Sequence, residues 1–208
     1  MSKPKILELF CGTKSIGKEF IKKDFEVTSL DINPIFNADI TADILTIPDN
    51  FYGKKFDVIW ASPPCNAFSV AVIGRNWNYD DTPKNEIAEK GLRILEKTLS
   101  IISRVNPKFF FIENPRGKMR KMKILHPFNR YTITYCQYGF DRQKPTDIFT
   151  NVDDLQLKPI CKRGQNCHIR SPRGSDTGTQ GMSSAIEKAV IPPEFCKYIA
   201  DYCEVNIK

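Results

Sequence analysis

Two short stretches of this 208-residue chain hold side chains that could do covalent chemistry together. The first is Ala61-Ser62-Pro63-Pro64-Cys65-Asn66-Ala67-Phe68-Ser69. Two consecutive prolines cannot continue a strand ladder, so the chain turns stiffly there and presents Cys65 on a rigid loop. A nucleophile needs such placement, because small positional errors cost large factors in rate. Taken alone, Pro-Pro-Cys more often describes a buried cysteine beside a turn. The second stretch is Phe109-Phe110-Phe111-Ile112-Glu113-Asn114-Pro115, an apolar run that delivers an acid ahead of a helix-breaking proline. Glu113 alone reads as a helix cap or an exposed acid.

Together the thiol and the acid have a specific use. Carbon 6 of cytosine is a poor electrophile until N3 is protonated or strongly hydrogen-bonded, which a carboxyl with a raised pKa can accomplish. Thiolate attack at C6 then makes C5 nucleophilic enough to take a methyl group. A donor site is legible as well. Ile6-Leu7-Glu8-Leu9-Phe10-Cys11-Gly12-Thr13-Lys14-Ser15 is a strand, a tight small-residue loop and a helix start, as nucleotide-like cofactors require. Asp31 suits ribose hydroxyls and Asp43 an adenine amino group, although either acid by itself is more often a cap or turn residue.

The elements that must position these groups follow from periodicity. Strands are predicted over Lys5–Phe10, Glu26–Asp31, Asp57–Ala61 and Lys108–Ile112, with a short segment at Ala38–Ile44. Helices are predicted from about Ser15 to Lys23 and over Asn85–Val105, the latter with Ile87, Leu92, Leu95, Leu99 and Ile102 on one face. Tyr131–Cys136 and Asp147–Thr150 read as an antiparallel pair. Strands alternating with helices imply an α/β fold with a mostly parallel, doubly wound sheet, whose ligands bind beyond the carboxyl ends of the strands. Glu8, Asp31, Asp43, Pro63–Asn66 and Glu113-Asn114 all fall near such ends. Asn151–Ile191, rich in Gly, Ser, Thr, Pro and basic residues, breaks the rhythm and reads as a functional loop or subdomain. Pro192-Pro193 then opens a closing helix through Tyr202.

Composition is that of an ordinary soluble domain, with 41% hydrophobic and 26% charged residues and no transmembrane-length apolar run. Met1–Ile6 carries no signal-peptide pattern, so a cytoplasmic location is expected. Seven cysteines make an odd count, and Cys11, Cys65, Cys136, Cys196 and Cys203 look embedded in strands or helices, which excludes a disulfide framework and predicts reduced thiols. The net charge of +7 is concentrated in two acid-free clusters: Arg116, Lys118, Arg120, Lys121 and Lys123, then Lys158, Lys162, Arg163, Arg170 and Arg173. These are either solvated loops or arms that hold phosphates.

The order Phe-x-Gly loop, strand-end acid, Asp-Ile, Pro-Pro-Cys-x-x-Phe-Ser and Glu-Asn resembles the DNA cytosine-5 methyltransferase family over about residues 5–150. Pro-Pro-Cys-Asn-Ala-Phe-Ser and Ile-Glu-Asn-Pro are its specific part. The resemblance implies a Rossmann-like methyltransferase fold using S-adenosylmethionine, with an antiparallel edge to the sheet. It implies Cys65 as nucleophile, Glu113 as the group that activates N3, and Asn114 beside it. Phe10, Gly12, Asp31, Asp43 and Pro63 would surround the cofactor, with Glu8, Cys11, Thr13, Ile32 and Ile44 completing that site. Asn66, Ser69, Arg116, Lys118, Arg163, Arg170 and Arg173 would face DNA, from which the target cytosine is flipped.

The departures from the family pattern are informative. Lys14-Ser15 stands where two glycines are usual, and Asn66 where glutamine is usual. In Gly139-Phe140-Asp141-Arg142-Gln143-Lys144-Pro145-Thr146 the family's second arginine would fall on Thr146, so Arg142 or Lys144 must supply any cation near the base. Ala185–Phe195 is only faintly similar to the closing motif, and the target-recognition segment is short. Cys161, Cys167 and His168 could bind a structural zinc, but no fourth ligand is obvious nearby and a basic loop with incidental thiols is the alternative. The expected organisation is a catalytic core over 1–150, a basic recognition segment over 151–191 and a helix over 192–208 that packs back on the core. A monomeric DNA (cytosine-5)-methyltransferase of prokaryotic or viral type is expected. An RNA cytosine-5 methyltransferase, a related cytosine modification, and a catalytically decayed DNA-binding module are the other readings.

Overall fold

The computed structural model describes residues 2–48, 50–53, 55–162, 164–170, 179, 181–182 and 184–207. Seven strands form one sheet: β1 (Lys5–Leu9), β2 (Glu26–Asp31), β3 (Ile40–Thr41), β4 (Val58–Ala61), β5 (Phe109–Pro115), β6 (Asn129–Thr134) and β7 (Pro145–Thr150). Their order is β3-β2-β1-β4-β5-β7-β6. The first five run parallel, and β7 inserts antiparallel between β5 and β6. The helices are α1 (Ser15–Ile21), α2 (Ile73–Asn76), α3 (Glu86–Val105), α4 (Ala185–Ala189) and α5 (Pro193–Asn206). None is long and apolar enough to cross a membrane among the described residues.

Central parallel strands are covered on both faces, so they read as unbroken apolar runs rather than alternating ones. β4 is Val-Ile-Trp-Ala with all of its residues buried. Successive side chains still go to opposite faces. Leu7, Leu9, Ile59 and Ala61 join Leu95 and Ile102 of α3 in one core. Ile6, Val58 and Trp60 join Ile16 and Phe20 of α1 and Phe195 and Ile199 of α5 in the other.

α3 begins where Asn85 accepts the Ala88 N–H at 3.0 Å and ends at Asn106 in the left-handed conformation. Its buried spine is Ala88, Gly91, Leu95, Thr98, Ile102 and Val105. Ile87, expected on the core face, is 47% exposed, while Leu92 and Leu99 are partly buried. In the first turns the core positions are taken by Ala88 and Gly91 instead. A Cβ on Gly91 would lie 2.3 Å from the Ala67 side chain, so the helix presses directly on the loop that follows Pro63-Pro64.

Two boundaries move for tertiary reasons. β5 continues past Ile112 to Pro115 because β7 pairs with it, Glu113 opposite Ile148 and Asn114 opposite Asp147. β6 stops at Thr134, and Tyr135–Tyr138 tightens into a 3-10 turn closed by Gly139 at φ 85°. Within 151–191, α4 is the one regular element among the described residues.

Candidate active site

The carboxyl ends of β1, β4 and β5 open into a cleft of about 710 Å³. Cys65, Glu113, Lys144, Glu8, Ser69 and Arg116 all line it. Cys65 is solvent-exposed rather than sealed in the core. Its loop is rigid for local reasons: Cys65 C=O accepts the N–H groups of Phe68 at 3.1 Å and Ser69 at 2.9 Å. Behind it, Trp77 Nε1 donates to Ala67 C=O at 2.7 Å, and the fully buried Asn76 donates to Asn66 C=O at 3.1 Å. Gly117 lets β5's continuation approach this loop, since a Cβ there would lie 2.2 Å from Phe68 O.

Glu113 is 6% exposed, and its Oε1 accepts the hydroxyl of the fully buried Tyr135 at 2.9 Å. Asn114 points elsewhere. Its Nδ2 donates to Pro63 C=O at 2.8 Å, which ties β5 to the Pro-Pro turn, so it positions the Cys65 loop and does not line the cleft. Of Arg142 and Lys144, it is Lys144 that lines the cleft. Its ammonium lies over the Tyr135 ring, 4.4 Å from the centroid, and donates to Lys188 C=O at 2.6 Å. Burial holds the Lys144 ammonium below its ordinary pKa, opposed by Glu113 and Cys65. Burial and the Glu113 charge push the Cys65 thiol up, and Lys144 pulls it down. Arg142, the other candidate for this role, is turned away. Its Nη1 donates to Ile169 and Arg170 C=O, both at 3.2 Å, so it clamps the basic segment instead of facing Cys65.

A second pocket of about 360 Å³ adjoins the cleft, and Phe10 and Pro64 line both. Leu30, Ile32 and Ile44 form its apolar walls; Asp43 and Asn66 also reach it. Asp43 caps the turn at Ile44–Thr46 through the Leu45 N–H and pairs with Lys90 at 3.4 Å. Asp31 is 8% exposed, and its two oxygens accept the N–H groups of Gly12 and Asn33, each at 2.9 Å. It therefore anchors the Phe10–Lys14 loop to the end of β2. That loop is sharply folded, with Phe10 at φ 58°, Gly12 at 46° and Lys14 at 54°. Lys14, where the family carries glycine, holds this conformation with its ammonium on Asn37 C=O at 2.5 Å. Thr13 Oγ1 and Ser15 Oγ share a hydrogen bond at 2.7 Å, Cys11 and Gly12 line the cleft, and buried Pro63 closes its floor. Glu8 is 2% exposed and accepts the Gly17 N–H at 3.2 Å; burial pushes its carboxyl up to about 7.

The basic clusters resolve unequally. Lys118 is buried, ion-paired with Asp81 and 5.4 Å from the Trp77 ring, which removes it from any DNA-facing set. Arg120 grips Asp147 with two hydrogen bonds of 2.9 and 2.7 Å. Both were spent on internal acids that stand far away in sequence. Arg116, Lys121 and Lys123 remain exposed, as do Lys162 and Arg170. Arg163 and Arg173 lie outside the described residues. Tyr135 escaped the sequence reading because its apolar setting resembled any strand residue. So did Cys136, whose thiol meets Cys161, Cys167 and His168.

Comparison with known proteins agrees with this geometry. Residues 5–142 match the model of the C-5 cytosine-specific DNA methylase family. A probable DNA (cytosine-5)-methyltransferase of Frog virus 3 (isolate Goorha) is 27% identical over 220 residues, covering 96% of this chain and all of the viral protein. The type II methyltransferase M1.HphI of Haemophilus parahaemolyticus is 27% identical over 125 residues, 52% of this chain and 31% of that protein. Among solved structures, the Entamoeba histolytica methyltransferase EhMeth superposes with a TM-score of 0.55 at 14% identity, over 76% of this chain and 57% of that one, a likeness of fold. This chain thus spans little more than half of that solved structure. The match across β1 to the β6–β7 connection, with Cys65 and Glu113 in one cleft, identifies the chain as a member of the C-5 cytosine-specific DNA methylase family.

Proposed function

We propose that the chain transfers a methyl group from S-adenosylmethionine to C5 of cytosine in DNA through a covalent adduct on Cys65. The observation that carries this reading is the convergence of an accessible thiol, a carboxyl and an ammonium on one cleft that shares Phe10 and Pro64 with an apolar pocket. The pocket suits an adenosyl group: Phe10, Leu30 and Ile44 offer apolar contact, and Asp43 offers an acceptor for an amino group. Glu8 and Gly12 line the adjoining cleft, where the cofactor's amino acid end would be held. The bound cofactor would supply an electrophilic methyl group.

The remaining steps belong to this chain's side chains. Cys65 Sγ, as thiolate, adds to C6 of the base. Glu113 holds N3 while charge develops there, with Tyr135 fixing its other oxygen. Lys144 stabilises the anion on either partner and favours the thiolate. After C5 is methylated, loss of the C5 proton expels the thiolate and restores the enzyme. Because C6 is unreachable in a stacked duplex, the cytosine is flipped into the cleft, with Ser69 and Arg116 at its rim. Arg116, Lys121, Lys162 and Arg170 are exposed on the segments that would hold the phosphates, and the 151–191 segment is the proposed recognition unit.

DNA carrying 5-fluorocytosine cannot release the C5 substituent, so the wild type with S-adenosylmethionine should yield a denaturation-resistant protein–DNA adduct. Cys65→Ala should yield none. Methylation that persists undiminished in Cys65→Ala would refute the covalent mechanism. An adduct with the RNA counterpart alone would redirect the reading to RNA.

A further inference from the structure

Away from the cleft, the turn after β6 and the irregular segment bring four potential metal ligands together. Cys136, Cys161, Cys167 and His168 each place a ligand atom within 4.8 Å of all the others. Cys167 Sγ lies 3.4 Å from Cys161 Sγ, 3.6 Å from Cys136 Sγ and 3.6 Å from His168 Nδ1. Cys161 Sγ lies 3.7 Å from His168 Nδ1. Three sulfurs and one nitrogen bound tetrahedrally to a single zinc ion, at about 2.3 Å and 2.0–2.1 Å, stand roughly 3.5–3.8 Å apart. Four of the six edges, at 3.4, 3.6, 3.6 and 3.7 Å, are close to those of that tetrahedron, and the two from Cys136 to Cys161 and His168 lie within 4.8 Å. We propose that Cys136, Cys161, Cys167 and His168 form a structural zinc site.

Chain spacing hid the fourth ligand, because Cys136 lies 25 residues before Cys161 and arrives through the sheet rather than through the loop. A disulfide is a poor alternative: bonded sulfurs sit about 2.05 Å apart, and any pairing among three thiols strands one of them. A mixed sulfur and nitrogen set of four favours zinc, and four protein ligands leave no open position for catalysis. The surroundings are built accordingly. Gln137 Nε2 donates to Cys167 Sγ at 3.4 Å, the kind of outer hydrogen bond that steadies a metal-bound thiolate. Cys161 is pinned through its N–H to Thr134 Oγ1 at 2.9 Å and through its C=O to Gln143 Nε2 at 3.2 Å. Ile169 N–H reaches Asp141 C=O at 2.7 Å. The ion would thereby fasten Cys161, Cys167 and His168 to the β6–β7 connection, the same stretch that carries Tyr135 and Lys144. It would replace, in a segment with little apolar packing of its own, the core that is missing.

The full chain, purified under reducing conditions without chelator, should retain roughly one zinc per chain by mass spectrometric metal analysis. Cobalt in its place should give the strong visible bands of a tetrahedral thiolate complex. Cys136→Ser and His168→Ala should each reduce metal retention at least about tenfold, while Cys203→Ser, buried in α5, should not. Folded wild type that holds no zinc and gives no cobalt bands would overturn the site without recourse to any variant. So would a metal-free Cys161–Cys167 disulfide, or undiminished zinc in Cys136→Ser.

Discussion

The cleft contains two cysteine–glutamate pairs, Glu8 with Cys11 at the end of β1 and Glu113 with Cys65 at the ends of β5 and β4. Cys11 is 6% exposed, and burial together with Glu8 and Asp31 pushes its thiol up to about 12, with Lys14 opposing. Cys65 meets the same influences, partial desolvation and a neighbouring carboxyl that raise it and a lysine, Lys144, that lowers it, but its side chain reaches solvent. The acids differ as well. Glu8 is held by backbone N–H groups at the start of α1, whereas Glu113 is held by a tyrosine hydroxyl. Residue type alone therefore does not make a nucleophile. Each thiol has a lysine opposing the carboxyl beside it, so access is what separates Cys65 from the packed Cys11.

The comparison can be broken by exchanging these features. Glu113→Gln should reduce methylation by roughly 10²–10⁴-fold, the usual worth of a positioned acid, while leaving S-adenosylmethionine binding by calorimetry intact. The same change should accelerate alkylation of Cys65 by iodoacetamide, since a charge that disfavours the thiolate is gone. A slower alkylation would mean that Glu113 does not face Cys65.

Glu8→Gln tests the other pair through stability. The Glu8 carboxyl titrates at about 7 in the folded chain against 4.5 ordinarily, so the folded state binds the extra proton between those values. Stability from this group is present below pH 4.5 and is lost as pH rises to about 7, by about 3 kcal/mol. At pH 8 the Gln variant should thus be more stable than wild type in urea, and the difference should vanish near pH 4.5. A difference independent of pH would show that Glu8 titrates normally.

Smaller effects should follow from the supports. Asn114→Ala removes the bond to Pro63 C=O, and about 1–2 kcal/mol of loop positioning should be lost, seen as a roughly tenfold fall in kcat with KM for cofactor unchanged. Lys144→Gln should slow Cys65 alkylation at pH 8 by roughly three- to tenfold, opposite in sign to Glu113→Gln, and leave Cys11 unreactive.

Much of this molecule was legible before folding, for local reasons. Pro63-Pro64 stops a strand by backbone sterics, β2 spans Glu26–Asp31 and ends on its acid, and Asn85 caps α3 where its periodicity begins. The pairing of Cys65 with Glu113 follows from the rule that parallel strands gather their carboxyl ends. Other assignments depended on which distant groups meet. Lys118 and Arg120 look like phosphate-binding cations until Asp81 and Asp147 come alongside; Lys144 and Arg142 look interchangeable until one faces the cleft and the other clamps the segment at 169–170. Tyr135 and Cys136 carried no signal of their own. Chain spacing encodes direction along an element, whereas charge neutralisation and ligand sets are satisfied across elements, and only the packed structure supplies those distances.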